Sequence, residues 1–220
     1  SEAGPGQIFD DLFGGAENQD IETSNILVRV EVREGVGTGG SQMAPNSPKR
    51  LWNNVEHMIY ILLGYMGSGK TSLGKTVSKL KNIPFIDLDQ RIESSLGTSI
   101  AEFIEEKGEL AFRKTEHQQL KLLLENMPKD CVLAVGGGTP VFYDHMDLLN
   151  SAGVTVYLDV SVVELARRLA NDVQRPLINN QDDLAEFVAK HLFERRPYYS
   201  LANYRIKGDQ LTAEDVLACF

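Results

Sequence analysis

From residue 59 onward, short apolar runs alternate with longer segments in which apolar residues recur at helical spacing. Residues 59–63, 131–135 and 154–158 are largely apolar runs, as expected of strands that are buried on both faces. Residues 84–87 and 204–207 predict two more strands. Five strands separated by helices predict an α/β fold of three layers, in which helices flank both faces of a five-stranded parallel sheet.

Helical segments lie between these strands and carry recognisable end signals. They cover residues 69–81, 110–127, 161–171 and 182–195. The second of them is expected to end before Pro128. Ser161 and Glu164 have the spacing of a capping box for the third. Thr212 and Asp215 have the same spacing and predict the start of a last helix.

The first 57 residues have a different character, and the division between the two parts falls at residue 58. Nine acidic residues stand against four basic ones, and glycine, serine and asparagine are frequent. The one strand-like run is residues 26–32, and a lone strand has no partner with which to pair. Residues 1–57 are therefore predicted to be a disordered extension, and residues 58–220 to form the folded domain.

The overall composition excludes several classes of protein. Of the 220 residues, 42% are hydrophobic and 24% charged, which is ordinary for a globular domain, and the net charge of −9 argues against a nucleic-acid partner. Two cysteines, Cys131 and Cys219, are too few for a disulfide framework or a four-ligand zinc site. No apolar run approaches the roughly 20 residues that a membrane-spanning helix needs. We expect a cytoplasmic monomer with no membrane partner.

The sharpest chemical signal is the stretch Gly-Tyr-Met-Gly-Ser-Gly-Lys-Thr at residues 64–71. It fits the phosphate-binding pattern G-x-x-x-x-G-K-[ST], and it lies between a predicted strand and a predicted helix, as that pattern requires. Glycines let the backbone curl until several N–H groups point at one anion, and the helix start adds partial positive charge. Lys70 is expected to reach the outer phosphates of ATP, and the Thr71 hydroxyl to ligate Mg²⁺. The predicted nucleotide contacts in this stretch and directly after it are Gly67, Ser68, Gly69, Lys70, Thr71 and Ser72.

Two carboxylates, Asp87 and Asp89, stand at the end of the second predicted strand of the domain. Ligands in open α/β sheets bind beyond the carboxyl ends of strands, and residues two apart on an extended chain point the same way. One carboxylate can hold Mg²⁺ or its waters, and the other can accept a proton from an attacking hydroxyl. The alternative is that Asp89 only caps the helix that follows.

Three glycines and several arginines complete the chemical signals. Gly136, Gly137 and Gly138 follow a buried strand directly, where they permit a ligand to approach the backbone or simply make a turn. A guanidinium group binds phosphate or carboxylate through two parallel hydrogen bonds, so several arginines would be needed around a doubly anionic reaction. The candidate arginines are Arg113, Arg168, Arg175 and Arg195.

Taken in order, these motifs resemble those of the shikimate kinases, within the wider group that is similar to nucleoside monophosphate kinases. The resemblance covers residues 59 to about 218. It rests on the loop ending Gly69-Lys70-Thr71, on Asp87-Leu88-Asp89, on Phe112-Arg113 with Glu116 beyond, on Gly136-Gly137-Gly138-Thr139-Pro140, on Arg175-Pro176-Leu177 and on Arg195-Arg196-Pro197-Tyr198-Tyr199. We find no counterpart in the family for residues 1–57.

The resemblance implies an activity and a role for each motif. The family phosphorylates shikimate with ATP and Mg²⁺, in the synthesis of aromatic amino-acid precursors. By resemblance, Arg113 and Arg195 clamp the shikimate carboxylate, while Asp89 and the three glycines hold its hydroxyls. The other implied roles are those of Asp87 and Thr71 at Mg²⁺, Arg175 on a lid over the transferring phosphate, and Arg168 near the adenine. The predicted catalytic residues are Asp89, Lys70 and Arg175.

Two alternatives remain open from the sequence. Another small-molecule kinase of similar fold, such as a gluconate or nucleoside monophosphate kinase, also needs a phosphate loop, and a sugar-acid kinase also needs a carboxylate clamp. The combination of Asp87-x-Asp89 with the glycine triplet favours shikimate. The second alternative is a nucleotide-binding regulatory module without catalysis. Such a module could keep Lys70 while losing Asp89 or Arg175, whereas this chain keeps all three.

Overall fold

The computed structural model describes residues 18–23, 26–32, 58–170 and 181–219. The strands are β1 (Asn18–Thr23), β2 (Ile26–Val32), β3 (Ile59–Leu63), β4 (Phe85–Asp87), β5 (Cys131–Ala134), β6 (Val154–Asp159) and β7 (Tyr204–Lys207). The helices are α1 (Lys70–Lys81), α2 (Leu88–Leu96), α3 (Ile100–Lys107), α4 (Glu109–Asn126), α5 (His145–Ala152), α6 (Val162–Ala170), α7 (Gln181–Tyr199) and α8 (Ala213–Leu217). A short 3₁₀ turn, Thr139–Val141, follows β5.

The described strands form one sheet in the order β1-β2-β7-β6-β3-β5-β4. The five strands from β3 to β7 are parallel to one another, so the predicted five-stranded parallel sheet is confirmed. β3 lies between β5 and β6. The connection after β3 leads toward β4, whereas the connection after β5 leads in the opposite direction to β6. A crevice therefore opens between the carboxyl ends of β3 and β5, where α/β folds of this kind bind ligands.

Helices cover both faces of the sheet, as the continuous apolar strands predicted. Side chains alternate along β3: Tyr60 and Leu62 belong to one buried cluster, and Ile61 and Leu63 to another. The first cluster is closed by α1 and α8, which contribute residues such as Val77. The larger second cluster is closed by α2, α4, α5, α6 and α7. This packing holds the carboxyl ends of the central strands in fixed positions.

The hairpin of β1 and β2 extends the sheet beyond β7. β2 pairs with β7 in antiparallel register, from Arg29 opposite Lys207 to Val32 opposite Tyr204, and β1 pairs with β2. The expectation that residues 26–32 have no partner strand is therefore wrong. A strand pairs through its backbone with whichever edge is open, and β7 offers that edge. The predicted disorder of residues 1–17 and 33–57 falls outside the described residues.

Helix ends differ from the sequence prediction at one capping box. The amide of Glu164 donates to the Ser161 hydroxyl at 3.2 Å, which is the expected half of the box. The reciprocal half is absent among the described contacts, because the amide of Ser161 donates to Asp209 and the Glu164 carboxylate is paired with Arg167 and Arg168. The capping box of α8 forms in full. Among the described residues, no helix combines the length and the apolar character needed to cross a bilayer.

Removing residues 1–57 is expected to leave a folded domain. The described members of both buried clusters lie after residue 57, and the loss at β7 includes a set of backbone hydrogen bonds, each worth about 0.5–1.5 kcal/mol net. Thermal denaturation of residues 58–220 beside the full chain measures the effect. A cooperative transition a few degrees lower is the expected result. A shortened chain that shows no cooperative transition would mean that the hairpin is part of the folding unit.

Candidate active site

The predicted phosphate loop lies at the carboxyl end of β3 and leads into α1. Gly67 and Gly69 have φ angles of 79° and 96°, in the left-handed region that side chains other than glycine adopt only with strain. Gly69 is the N-cap of α1, so the amides of the first turn point into the loop. The backbone therefore has the shape that lets several N–H groups meet one phosphate.

Two side chains of the loop carry groups that suit a phosphate ligand. The Lys70 ammonium donates to the carbonyl oxygens of Gly64 and Tyr65, each at 3.0 Å, which holds it against the loop. Ser68 is 1% exposed, and its hydroxyl has no hydrogen-bond partner within the part of the chain that the structure describes. A buried hydroxyl without a partner is costly, and an oxygen of a bound phosphate would supply one.

Thr71 and Asp87 bring two oxygen atoms together beside the loop. The Thr71 hydroxyl donates to Oδ2 of Asp87 at 2.9 Å. Adjacent ligands of an octahedral Mg²⁺, each about 2.0–2.1 Å from the ion, stand about 2.9 Å apart, and Mg²⁺ prefers oxygen. The two side chains therefore fit the predicted magnesium site in both chemistry and spacing.

Asp87 and Asp89 have different local roles. β4 ends at Asp87, whose Oδ1 accepts from the amides of Asp89 and Gln90 at 3.1 and 3.3 Å, so Asp87 is the N-cap of α2. Asp89 lies in the first turn of α2, so the idea that the two side chains are parallel on one extended strand is wrong. The alternative in which Asp89 caps the helix is also wrong, because Asp87 does so. The Asp89 carboxylate is left to other contacts.

The pKa of Asp89 is raised to about 6, chiefly by burial and next by the negative charge of Asp87. The cation of Lys70 lowers the pKa of Asp89, against smaller upward effects of Glu116 and Glu93. A carboxyl group with a pKa near 6 is ionised at neutral pH and is a stronger base than an ordinary aspartate. Such values are typical of groups that accept protons in active sites.

Each glycine of the triplet faces a different part of the site. A Cβ atom on Gly136 would lie 2.6 Å from Oδ1 of Asp89, and one on Gly138 would lie 2.7 Å from Nη2 of Arg113. A Cβ atom on Gly137 would lie 3.3 Å from a backbone nitrogen of the phosphate loop. Gly138 has a φ of −89°, so lack of space and not backbone conformation requires glycine there. The triplet is the place where the carboxylate, the arginine and the phosphate loop converge.

Arg113 is held in position on α4 by two glutamates and an aromatic ring. Its Nη1 donates to Oε2 of Glu116 at 2.9 Å, and its Nε and Nη2 donate to Oε1 of Glu109 at 3.3 and 3.1 Å. The guanidinium carbon lies 4.2 Å from the ring centre of Phe142. Glu116 is 1% exposed and Glu109 is 60% exposed, so the contact with Glu109 can be exchanged for a ligand.

Arg195, on α7, reaches the same triplet through a tyrosine. Arg195 donates to the Tyr199 hydroxyl, and that hydroxyl donates to the carbonyl oxygen of Gly137. The guanidinium carbon of Arg195 lies 5.4 Å from the ring centre of Tyr65, in the phosphate loop. Arg113 and Arg195 thus approach the glycines from two different helices, as a two-sided clamp requires.

The remaining predicted residues lie further out. Arg168, on α6, donates to the carbonyl oxygens of Gly67 and Asp209, which joins the phosphate loop to the segment after β7. Ser72 is exposed in the first turn of α1. Arg175 lies outside the described residues. The nucleotide contacts of Arg168, Ser72 and Arg175 stay predictions.

The sequence reasoning gave no role to two buried residues of this site. Glu116 lies between Arg113 and Thr139, whose hydroxyl donates to its Oε1 at 2.6 Å. Thr139 is itself 0% exposed. The spacing of Arg113 and Glu116, three residues apart on a helix, was a usable signal for their pairing. The contact between Glu116 and Thr139 spans 23 residues of chain, and no local pattern predicts it.

Comparison with known proteins gives one consistent result. A family model described as "Shikimate kinase" matches residues 66–219. The chain is 45% identical over 161 residues to a shikimate kinase of Flavobacterium psychrophilum, an alignment that covers 71% of this chain and 93% of that protein. It is 41% identical, over the same shares of the two chains, to the shikimate kinase of Flavobacterium johnsoniae.

Solved structures agree with the sequence matches. The shikimate kinase of Bacteroides thetaiotaomicron is similar with a TM-score of 0.68 and 38% identity, over 74% of this chain and 96% of that one. The shikimate kinase of Acinetobacter baumannii, solved in complex with shikimate, has a TM-score of 0.66 and 30% identity, over 78% and 94% of the two chains. The alignments thus span nearly the whole length of both solved proteins.

Proposed function

The chain belongs to the shikimate kinase family, and on that premise we propose that it transfers the terminal phosphoryl group of ATP to the 3-hydroxyl of shikimate, giving 3-phosphoshikimate and ADP. One observation carries the proposal: the glycine triplet meets the Asp89 carboxylate, the Arg113 guanidinium and the phosphate loop at its three successive positions. An acceptor that carries both a hydroxyl and a carboxylate would contact all three groups at once.

On the nucleotide side, the phosphate loop and Lys70 would bind the outer phosphates of ATP. During transfer, the negative charge of the phosphoryl group lies on its outer oxygens. Fixed cations and backbone amides around these oxygens stabilise that charge without having to reorganise. The buried hydroxyl of Ser68 supports this role, because phosphate would satisfy it. Gly67, Gly69 and Thr71 would contribute backbone amides. Arg168, beside Gly67, would lie toward the base of the nucleotide.

Thr71 and Asp87 would hold Mg²⁺, which, when bound, neutralises charge on the phosphates of ATP. Asp87 is already oriented for this by the amides of Asp89 and Gln90, which occupy its other oxygen. A carboxylate that is fixed in this way keeps Oδ2 directed at Thr71. The proposal of a bound Mg²⁺ rests on this pair of oxygens and on the family's use of ATP.

On the acceptor side, Asp89 would orient the 3-hydroxyl of shikimate and take its proton. The hydroxyl oxygen forms a bond to the terminal phosphorus while the bond from that phosphorus to the bridging oxygen breaks, releasing ADP. The proton passes to the Asp89 carboxylate, whose raised pKa makes it a better acceptor. Gly136 leaves the space in which the hydroxyl can approach this carboxylate.

The carboxylate of shikimate would lie between Arg113 and Arg195. On Arg113 it would take the place of the exposed Glu109, which uses the same two guanidinium nitrogens. Charge-assisted pairs of this kind give both affinity and orientation. Arg175 is proposed to lie on a lid over the transferring phosphate. The monomeric state and the cytoplasmic location stay predictions.

Replacing Arg113 by alanine, or Arg195 by alanine, is expected to raise the KM for shikimate by about ten- to a hundredfold, because a hydrogen bond to a charged group contributes about 1.5–3 kcal/mol. The KM for ATP should change little, since neither guanidinium faces the nucleotide. Steady-state kinetics with each substrate varied in turn measures the two constants separately.

Glu109→Gln is the matched control for the clamp. It removes the exposed carboxylate that occupies Arg113, so the KM for shikimate should stay unchanged or fall. Equal losses for ATP and shikimate in the arginine variants would contradict the clamp, and would indicate a nucleotide role or a damaged fold instead.

A further inference from the structure

A continuous series of hydrogen bonds connects a buried histidine to Arg113. Nδ1 of His145, in the first turn of α5, lies 2.8 Å from the carbonyl oxygen of Thr139. The Thr139 hydroxyl donates to Oε1 of Glu116 at 2.6 Å, and Oε2 of Glu116 accepts from Arg113. His145 and Thr139 are 0% exposed and Glu116 is 1% exposed. Water therefore has no access with which to replace a contact that is lost.

The protonation of His145 follows from its partners. A carbonyl oxygen can only accept, so Nδ1 of His145 carries the proton, and burial lowers the pKa of His145 in favour of the neutral ring. Its Nε2 is then an acceptor and lies 2.9 Å from Nδ1 of His117, on α4. The His117 ring stacks on Tyr143, with 4.4 Å between ring centres. Tyr143 has a φ of 52°, an uncommon conformation for a residue other than glycine.

The turn that His145 holds is the continuation of the glycine triplet. The amide of Thr139 donates to Gly136 at 3.1 Å, and the amide of Val141 donates to Gly138 at 3.0 Å. The turn begins directly after Gly138, the glycine that packs against Arg113, so a shift of the turn acts mainly on the Arg113 end of the triplet. Without the donor at His145, the carbonyl oxygen of Thr139 would be buried without that hydrogen bond, which is unfavourable and promotes a shift of the turn.

We propose that His145 is a positioning residue for the acid substrate: it fixes the Thr139 turn, the Thr139 hydroxyl orients Glu116, and Glu116 orients the Arg113 guanidinium toward the shikimate carboxylate. The inference rests on the proposed function, and specifically on the clamp. His145 itself makes no contact with substrate in this account. Its effect is therefore confined to the binding of shikimate and disappears when Arg113 is absent.

The test first compares two variants by steady-state kinetics. His145→Leu removes the donor and should raise the KM for shikimate by about threefold to thirtyfold, the size expected for residues that act through a packed network. Its kcat and its KM for ATP should stay within about twofold of the parent values. His145→Asn should retain a near-normal KM for shikimate, because its amide nitrogen occupies the position of Nδ1 and donates to the same carbonyl.

A double-mutant cycle separates positioning from general damage. In the Arg113→Ala background, His145→Leu should produce no further rise in the KM for shikimate, because residues that act through one contact are not additive. Thr155→Val is the matched control. Thr155 is 0% exposed and hydrogen-bonded to Asn150 and Asn203, and it lies at the amino end of β6, whereas the candidate site lies at the carboxyl ends of the strands. It should lower thermal stability and leave the KM for shikimate unchanged.

Each outcome decides the inference. Any of three results would overturn the inference and leave the proposed function intact. These are a wild-type KM for shikimate in His145→Leu, an equal rise in its KM for ATP, or a rise in the KM for shikimate that is just as large when His145→Leu is added to Arg113→Ala. A wild-type KM for shikimate in Arg113→Ala would overturn the clamp, and the inference with it. If His145→Leu does not fold, Thr139→Val, compared with Thr139→Ser, tests the next link, since only serine keeps the hydroxyl.

Discussion

Lys70→Met is expected to lower turnover by about a thousandfold or more, because loss of even one neutral donor to a developing charge costs about 10²–10³ in rate and Lys70 supplies a full cation. A second effect adds to the first. The Lys70 cation lowers the pKa of Asp89, so its removal raises that pKa and leaves less of the carboxylate ionised at neutral pH. The residual rate should therefore reach its plateau at a higher pH than the parent rate does.

The fold of the Lys70→Met variant should be retained. Lys70 bonds to two carbonyl oxygens of the loop and belongs to neither buried cluster. Thermal denaturation, together with ADP release over a range of pH, measures both effects. Lys79→Met is the matched control, because Lys79 is exposed on the same helix, α1, and away from the loop. Near-normal turnover in Lys70→Met would contradict the role of the phosphate loop.

Asp89→Asn is expected to lower kcat by about 10²–10⁴-fold, the usual contribution of a positioned base. The substitution keeps the shape and removes the charge and most of the basicity. Shikimate affinity should fall as well, since the carboxylate is proposed to accept a hydrogen bond from the substrate, and ATP binding should change little. In the parent enzyme, kcat/KM should rise with pH through about 6, the pKa of Asp89. That rise should be missing in the asparagine variant.

The same substitution should make the protein more stable at neutral pH. The pKa of Asp89 is about 6 when folded and 3.8 in a model peptide. Between pH 4 and 6 the folded state therefore binds more protons than the unfolded state, so this group's contribution to stability falls as pH rises through that window. Above about pH 6 the full cost of a buried carboxylate is present. Asp89→Asn removes it, so the melting temperatures should differ at pH 8 and converge near pH 4.

Asp87→Asn distinguishes the two carboxylates. The proposed role of Asp87 in holding Mg²⁺ predicts a higher magnesium requirement and at least partial recovery of rate when magnesium is in excess. The Asp89 variant should not recover, because added metal does not restore a base. If excess magnesium rescues Asp89→Asn and not Asp87→Asn, the two assignments are reversed. Titration of magnesium against rate for both variants gives the answer.

The parallel sheet could be predicted from local pattern because each buried strand is an apolar run between helical segments. The strands form within one residue of the predicted bounds. The hairpin of β1 and β2 could not be predicted in the same way. Its partner, β7, lies more than 170 residues away in the chain, and pairing between such distant segments leaves no local signal. Only the position of β7 at the edge of the parallel sheet provides the partner.

The candidate site, like the fold, could be predicted from the sequence only in part. The phosphate loop and the positions of Arg113 and Arg195 beside the glycine triplet could be predicted from motifs, because each motif is a short run with its own chemistry. The separate roles of Asp87 and Asp89 could not, since they depend on the helix starting immediately after the strand. The raised pKa of Asp89 depends on burial that the folded structure alone provides. The contacts of Glu116 and His145 with Thr139 also arise only when α4, α5 and the glycine turn pack together.

We expect this site to phosphorylate shikimate in preference to other small acceptors. The preference is measured by a coupled assay of ADP release, with shikimate, gluconate and the common nucleoside monophosphates offered in parallel at equal concentration. ADP release should be rapid and magnesium-dependent with shikimate, and at least about a hundredfold faster than with the other acceptors, since each lacks the combination of a ring hydroxyl for Asp89 and a carboxylate for Arg113. Faster release with gluconate or a nucleoside monophosphate, or a rate that does not depend on the acceptor, would contradict it.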